Sequence, residues 1–85
     1  MKRLVEEVAA EGLDKLLGEQ VTLLCMNYFY TGKLIGVNEH DVLLEDTKII
    51  YETGQWDKKD WADAQYVCKE LYVRTASIEA YGIIK

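Results

Sequence analysis

The chain has 85 residues, of which 49% are hydrophobic and 29% are charged, and it carries a net charge of −5 at pH 7. This length predicts one domain over residues 1–85, with a core small enough to need support from oligomerisation. The composition is typical of a globular protein, the apolar runs are too short to cross a bilayer, and the acidic balance is unusual for a free-standing nucleic-acid binder.

The N-terminal segment predicts an α-helix over residues 3–17. Val5, Ala9 and Leu16 recur on one face of it, as in an amphipathic helix. Gly18 is placed to end the helix in the left-handed conformation. Acidic residues in the same segment interrupt the apolar core that a signal peptide needs, so a cytoplasmic protein is expected.

From Val21 onward the hydrophobic pattern changes to a period of two, which predicts β-strands. Gly32 and Gly36 lie inside the second strand, and glycine in a strand indicates a sharp bend or a close backbone approach. The expected strands cover residues 21–25, 29–37, 42–51, 65–75 and 77–84. The chain is therefore mainly β, and its third and fourth strands are expected to extend as a hairpin around the irregular segment 52–63.

The two cysteines of the chain are too few for a disulfide scaffold and lack metal-ligand spacing. Cys25 is in phase with Val21 and Leu23, which predicts a buried free thiol. Cys68 is expected to be similar.

Three segments resemble the Sm-like family. GKLIGVNEHDVLLED, residues 32–46, is similar to the first Sm motif, and VRTASI, residues 73–78, is similar to the second. LDKLLGEQVTLL, residues 13–24, resembles the end of the family's helix and its first strand. The resemblance covers nearly the whole chain in the family's order and spacing.

This resemblance implies an N-terminal helix followed by a five-stranded, strongly bent antiparallel barrel. It also implies a cyclic homo-oligomer of about five to seven subunits, in which the fourth strand of one copy pairs with the fifth strand of the next. In such rings the loops beside the pore hold single-stranded RNA. The residues that the resemblance places in those loops are Asn38, His40, Asp41, Arg74 and Thr75.

The departures from the family pattern fall in the same loops. Asn38 stands in place of an aspartate, and its loop has the shorter length found in the bacterial RNA-chaperone branch. Asp41 is the residue nearest to the missing base-binding asparagine, and Thr75 replaces a glycine. The fold is therefore a firmer expectation than the function.

His40 and Arg74 each allow two interpretations. His40 could stack on a base, or it could be a solvated histidine in a polar turn. Arg74 could hold a base or a phosphate with its planar guanidinium, or it could form an ion pair with Asp41 or with a carboxylate of a neighbouring subunit.

Trp56 and Trp61 flank a run of mixed charge. Aromatic residues interleaved with lysines can bind single strands, but here the acidic residues cancel the lysines, so packing across the hairpin or against a neighbouring subunit is favoured. Asp57, Asp60 and Asp63 are spaced to share a helical face, but no histidine or fourth acid is in phase with them. No metal site and no cofactor are predicted.

The sequence argues against an enzyme. It has one histidine, no nucleophile paired with a base and no glycine-rich phosphate loop. Two hypotheses remain. The first is an Sm-like ring that binds single-stranded RNA weakly. The second is a ring of the same fold that acts as a protein scaffold without RNA.

Overall fold

The computed structural model describes residues 12–85, which form five strands and two short 3₁₀ helices. The 3₁₀ helices cover Gly12–Leu16 and Thr75–Ser77. The strands are β1 (Gln20–Cys25), β2 (Phe29–Val37), β3 (Asp41–Glu52), β4 (Asp63–Arg74) and β5 (Ile78–Gly82). They form one antiparallel sheet in the order β4-β3-β2-β1-β5, which confirms a mainly β chain and leaves β4 and β5 as the edges.

The helix predicted for residues 3–17 is wrong where it can be checked. Residues 3–11 lie outside the described part of the chain, and Gly12–Leu16 forms a 3₁₀ helix instead of an α-helix. Gly12 has φ +67°, a value that a right-handed α-helix does not contain. Gly18 has φ +89°, which is the left-handed conformation predicted for it, although the segment that it follows is a 3₁₀ helix. Over residues 12–85, no helix is long and apolar enough to cross a membrane.

The connection between the two edge strands requires the sheet to curl. In a flat sheet β4 and β5 would be four strand spacings apart, or about 19 Å. Arg74, the last residue of β4, pairs with Asp41, and Ile78, the first residue of β5, pairs with Cys25. Arg74 and Ile78 therefore also lie toward opposite ends of β2. The 3₁₀ turn Thr75–Ser77 joins them over only about 8 Å. The sheet is therefore strongly bent, although its edges remain unpaired.

Gly32 lies at a close approach of β2 to β3. A Cβ at this position would meet the carbonyl oxygen of Glu45 at 3.0 Å and Cβ of Leu44 at 3.1 Å. The β2–β3 register shifts beside it, between Thr31 and Lys33, and again between Leu34 and Gly36. Irregularities of this kind bend a strand and increase its twist, which confirms the close approach that the glycine predicted.

Alternate residues of the strands supply a small core. The fully buried aliphatic side chains are Val21, Leu23, Leu34, Val42 and Leu44. Leu13 and Leu16 of the first 3₁₀ helix pack against them, so this segment covers the core although it is not α-helical. Burial of such side chains is the main stabilising contribution to the fold.

The β3–β4 hairpin extends as the sequence predicts. Pairing continues as far as Glu52 opposite Asp63, and the loop beyond carries the two tryptophans. The rings of Trp56 and Trp61 pack edge to face, with centroids 5.8 Å apart and planes at 86°. In the single chain the tryptophans therefore pack against each other across the hairpin.

Candidate functional site

The turn between β2 and β3 is held by one side chain. Oδ1 of Asn38 accepts hydrogen bonds from the backbone N–H groups of His40 and Asp41, both at 2.8 Å. The N–H of Asn38 donates to the carbonyl oxygen of Asp41 at 2.9 Å. Asparagine is suited to this role because its short amide can close a turn on its own backbone. Within residues 12–85 no acceptor is paired with the NH₂ group of Asn38, so this group could donate to a ligand.

Thr75 fastens the turn after β4 to the turn before β3. Its backbone N–H donates to the carbonyl oxygen of His40 at 2.8 Å, and its hydroxyl donates to the carbonyl oxygen of Glu39 at 3.0 Å. These two residues are 35 and 36 positions earlier in the chain. A glycine at position 75 could make only the first of the two bonds.

Arg74 and Asp41 form an ion pair at the rim of these turns. The two residues are direct partners in the β3–β4 ladder, and Nε of Arg74 lies 3.4 Å from Oδ1 of Asp41. The Arg74 side chain is 74% exposed and that of Asp41 is 32% exposed. Such a pair contributes about 0–1 kcal/mol, so the guanidinium can leave it for another anion at small cost.

A shallow cavity adjoins the ion pair, and it brings in a residue that sequence reasoning missed. The cavity has a volume of about 230 Å³, and its lining includes Asn38, Asp41, Leu43 and Tyr72. Tyr72 is 68% exposed, and it pairs with Leu43 two residues inward from the Asp41–Arg74 pair. The period of two on β4 could have revealed it, because residues 72 and 74 share a face of the strand.

The structure thus brings all five predicted RNA-binding residues into one cluster at one end of β2. Asp41 forms the ion pair with Arg74 described above. Asn38 and Thr75 hold the two turns together through their own hydrogen bonds. His40 is exposed, and with the Arg74 guanidinium and the Tyr72 ring it supplies the groups that an incoming base or phosphate could contact.

A second cavity of about 280 Å³ lies at the opposite end of β2, and no sequence pattern pointed to it. Its lining includes Asn27, Tyr28, Phe29 and Tyr51. The rings of Tyr28 and Tyr51 pack edge to face with centroids 6.3 Å apart. The two tyrosines meet only through the β2–β3 register, which a single sequence does not reveal.

The described part of the chain offers little else on which chemistry could be built. Among residues 12–85, no group of three or more His, Cys, Asp or Glu side chains could hold a metal ion. No model of a known protein family matches the chain, and no curated protein matches it significantly. The geometry of the cluster is therefore the main guide to function.

Proposed function

We propose that this chain is a subunit of an Sm-like ring that binds single-stranded RNA weakly at the clustered turns, and that it is not an enzyme. The observation that carries the proposal is the convergence of Asn38, His40, Asp41, Arg74 and Thr75 from two distant segments. The five-stranded antiparallel sheet, its bend and its free β4 and β5 edges support the proposal, because the resemblance implies a bent five-stranded barrel whose fourth and fifth strands pair between copies.

The edge strands support assembly. Half of the large hydrophobic side chains that are exposed in residues 12–85 lie on β4 or on β5 and the residues after it. They are Tyr66, Val67, Tyr72, Tyr81, Ile83 and Ile84. Unpaired edges that carry apolar side chains favour aggregation unless they are covered, and pairing of β4 with β5 of the next copy would cover both. Val73 of β4 is only 6% exposed and belongs to the core, so it is not available for this contact.

The exposed groups of the cluster suit an unpaired nucleotide. Single-stranded RNA is bound by stacking on aromatic or guanidinium planes together with hydrogen bonds to base edges. Tyr72 and His40 supply rings, Arg74 supplies a plane with forked donors, and the NH₂ group of Asn38 supplies one further donor. A ring would present several copies of this set, so weak contacts would add through effective concentration.

One observation favours the second candidate, a scaffold ring without RNA. The carboxylate of Asp41 lies beside Arg74, at 3.4 Å, and the whole chain has a net charge of −5. The long-range field therefore repels phosphate. For this reason the proposal is restricted to weak binding with a shallow dependence on salt.

A titration of fluorescent oligo-U and oligo-A at low and moderate salt tests the proposal. We expect saturable binding by the assembled protein, and we expect Arg74→Ala to weaken it at least about fivefold, because an arginine on a base or phosphate contributes about 1–3 kcal/mol. Lys69→Ala is the matched control. Lys69 is also on β4 and also pairs with exposed carboxylates, with its Nζ 3.4 Å from Asp46, but it lies outside the cluster.

The variants separate the two candidates. Loss of binding in Arg74→Ala but not in Lys69→Ala, with both proteins still assembled, supports RNA binding at the cluster. An equal loss in both variants would indicate only a general charge effect. Absence of binding to either oligonucleotide at low salt, by a protein that assembles, would leave the scaffold ring.

A further inference from the structure

The loop between β3 and β4 encloses a lysine ammonium group. Nζ of Lys85 donates to the backbone carbonyl oxygens of Thr53 at 2.8 Å, Gln55 at 2.9 Å and Asp60 at 3.2 Å. A lysine ammonium has three N–H donors, so these carbonyls can satisfy all of them. The three acceptors come from 25 to 32 positions earlier in the chain.

The two tryptophans complete the enclosure. Nζ of Lys85 lies 4.5 Å from the ring centroid of Trp61 and 5.8 Å from that of Trp56. Both distances are within the range of a cation–π attraction, for which tryptophan is the best of the aromatic side chains. The edge-to-face contact between the rings lets both of them approach the same cation.

The charge of the loop favours a cation as well. Residues 52–63 contain four acidic residues and two lysines. Those lysines, Lys58 and Lys59, are exposed, whereas Lys85 from outside the loop is the one whose ammonium meets the carbonyls and rings. The lysine that the loop holds is therefore the one whose ammonium reaches the converging carbonyls in the folded structure, although two other lysines are closer in sequence.

We propose that the loop Thr53–Trp61 is a binding site for a primary ammonium, filled within the same chain by Lys85. Three converging carbonyls require three N–H donors on one nitrogen. A lysine or a small alkylammonium provides these donors, whereas a quaternary ammonium provides none. By filling the site, Lys85 fastens the segment after β5 to the β3–β4 hairpin. This inference is independent of the proposed ring and of RNA.

Opening the site in a variant tests the ligand class. In Lys85→Ala we expect altered tryptophan fluorescence and more quenching by acrylamide, because the rings lose their cation. n-Butylammonium chloride should reverse this change saturably, and tetramethylammonium chloride should act about tenfold more weakly, because it has no hydrogen-bond donor for the carbonyls. The wild-type protein should respond to neither salt.

Lys59→Ala is the matched control, since it removes one positive charge from the loop itself. It should leave the fluorescence of both tryptophans unchanged and should not respond to n-butylammonium. Equal responses of Lys85→Ala to both salts would overturn the proposal in favour of purely aromatic binding. The absence of any response, in a variant whose circular dichroism is that of the wild type, would also overturn it.

The enclosed ammonium of Lys85 should also be visible directly in the wild-type protein. In ¹⁵N-detected NMR, we expect one lysine ammonium whose protons exchange slowly with water and are shifted upfield by the tryptophan rings. This signal should be absent from Lys85→Ala and present in Lys59→Ala. Lysine ammonium protons that all exchange rapidly, in the folded wild-type protein, would overturn the proposal.

Discussion

The two thiols of the chain lie in different surroundings. Cys25 on β1 is 5% exposed, and burial raises its pKa above the ordinary value of 9.0, although a hydrogen bond with Ser77 acts in the opposite direction. Cys68 on the edge strand β4 is only half-buried and donates to the carbonyl oxygen of Glu70 at 3.2 Å. Both thiols are free, and the burial of Cys25 confirms the prediction from its position in phase with Val21.

Because the thiolate is the reactive form, we expect Cys68 to react with a disulfide reagent at pH 8 at least about tenfold faster than Cys25. The raised pKa has a second consequence. The unfolded chain releases the Cys25 proton at a lower pH than the folded protein does. The stability that the protonated thiol contributes is therefore fully present below pH 9.0 and is lost as the pH rises through the raised pKa of the folded state. Equal rates of reaction of the two thiols with the reagent, in the folded protein, would contradict this description. The Cys68→Ala variant retains only Cys25 and so shows which of the two rates belongs to it.

At the scale of elements, the contact of β2 with β3 at Gly32 leaves no room for a side chain. Gly32→Ala should lower the free energy of unfolding by about 1–3 kcal/mol, because the backbone of β3 must move to admit a methyl group. Gly82→Ala on β5 is the control, since a Cβ there has no neighbour within 4 Å. Denaturation at one fixed protein concentration compares them, and a Gly32→Ala protein as stable as the control would refute the close approach.

The strands were predictable because their period of two is a local property of the sequence. The helix was not, because Gly12 takes φ +67°, whereas the apolar spacing around it also suits an α-helix. Asn38, His40 and Asp41 were grouped by the resemblance to the Sm-like family, and they meet in the structure because they are near neighbours in one turn. Tyr72 was missed, and the ammonium site could not have been found, because its acceptors are backbone carbonyls that only the folded loop brings around Lys85.

At the scale of the molecule, the antiparallel strand order β4-β3-β2-β1-β5 has two consequences. It brings the turn after β4 against the turn before β3, which assembles the candidate site. It also leaves β4 and β5 as edges whose backbone groups have partners on one side only. In the proposed ring, a chain of 85 residues with a small core and two such edges would gain stability by pairing them with further copies of itself.

Native mass spectrometry at micromolar protein concentration tests this assembly most directly. We expect one dominant species whose mass is an integer multiple of the 9.8 kDa chain, because a head-to-tail contact that closes gives a ring of fixed size. The resemblance to the Sm-like family implies about five to seven subunits. The number of subunits should stay constant over a range of protein concentrations, because a closed ring has no free edge. A monomer at those concentrations, or an open series of oligomers that lengthens with concentration, would contradict the ring.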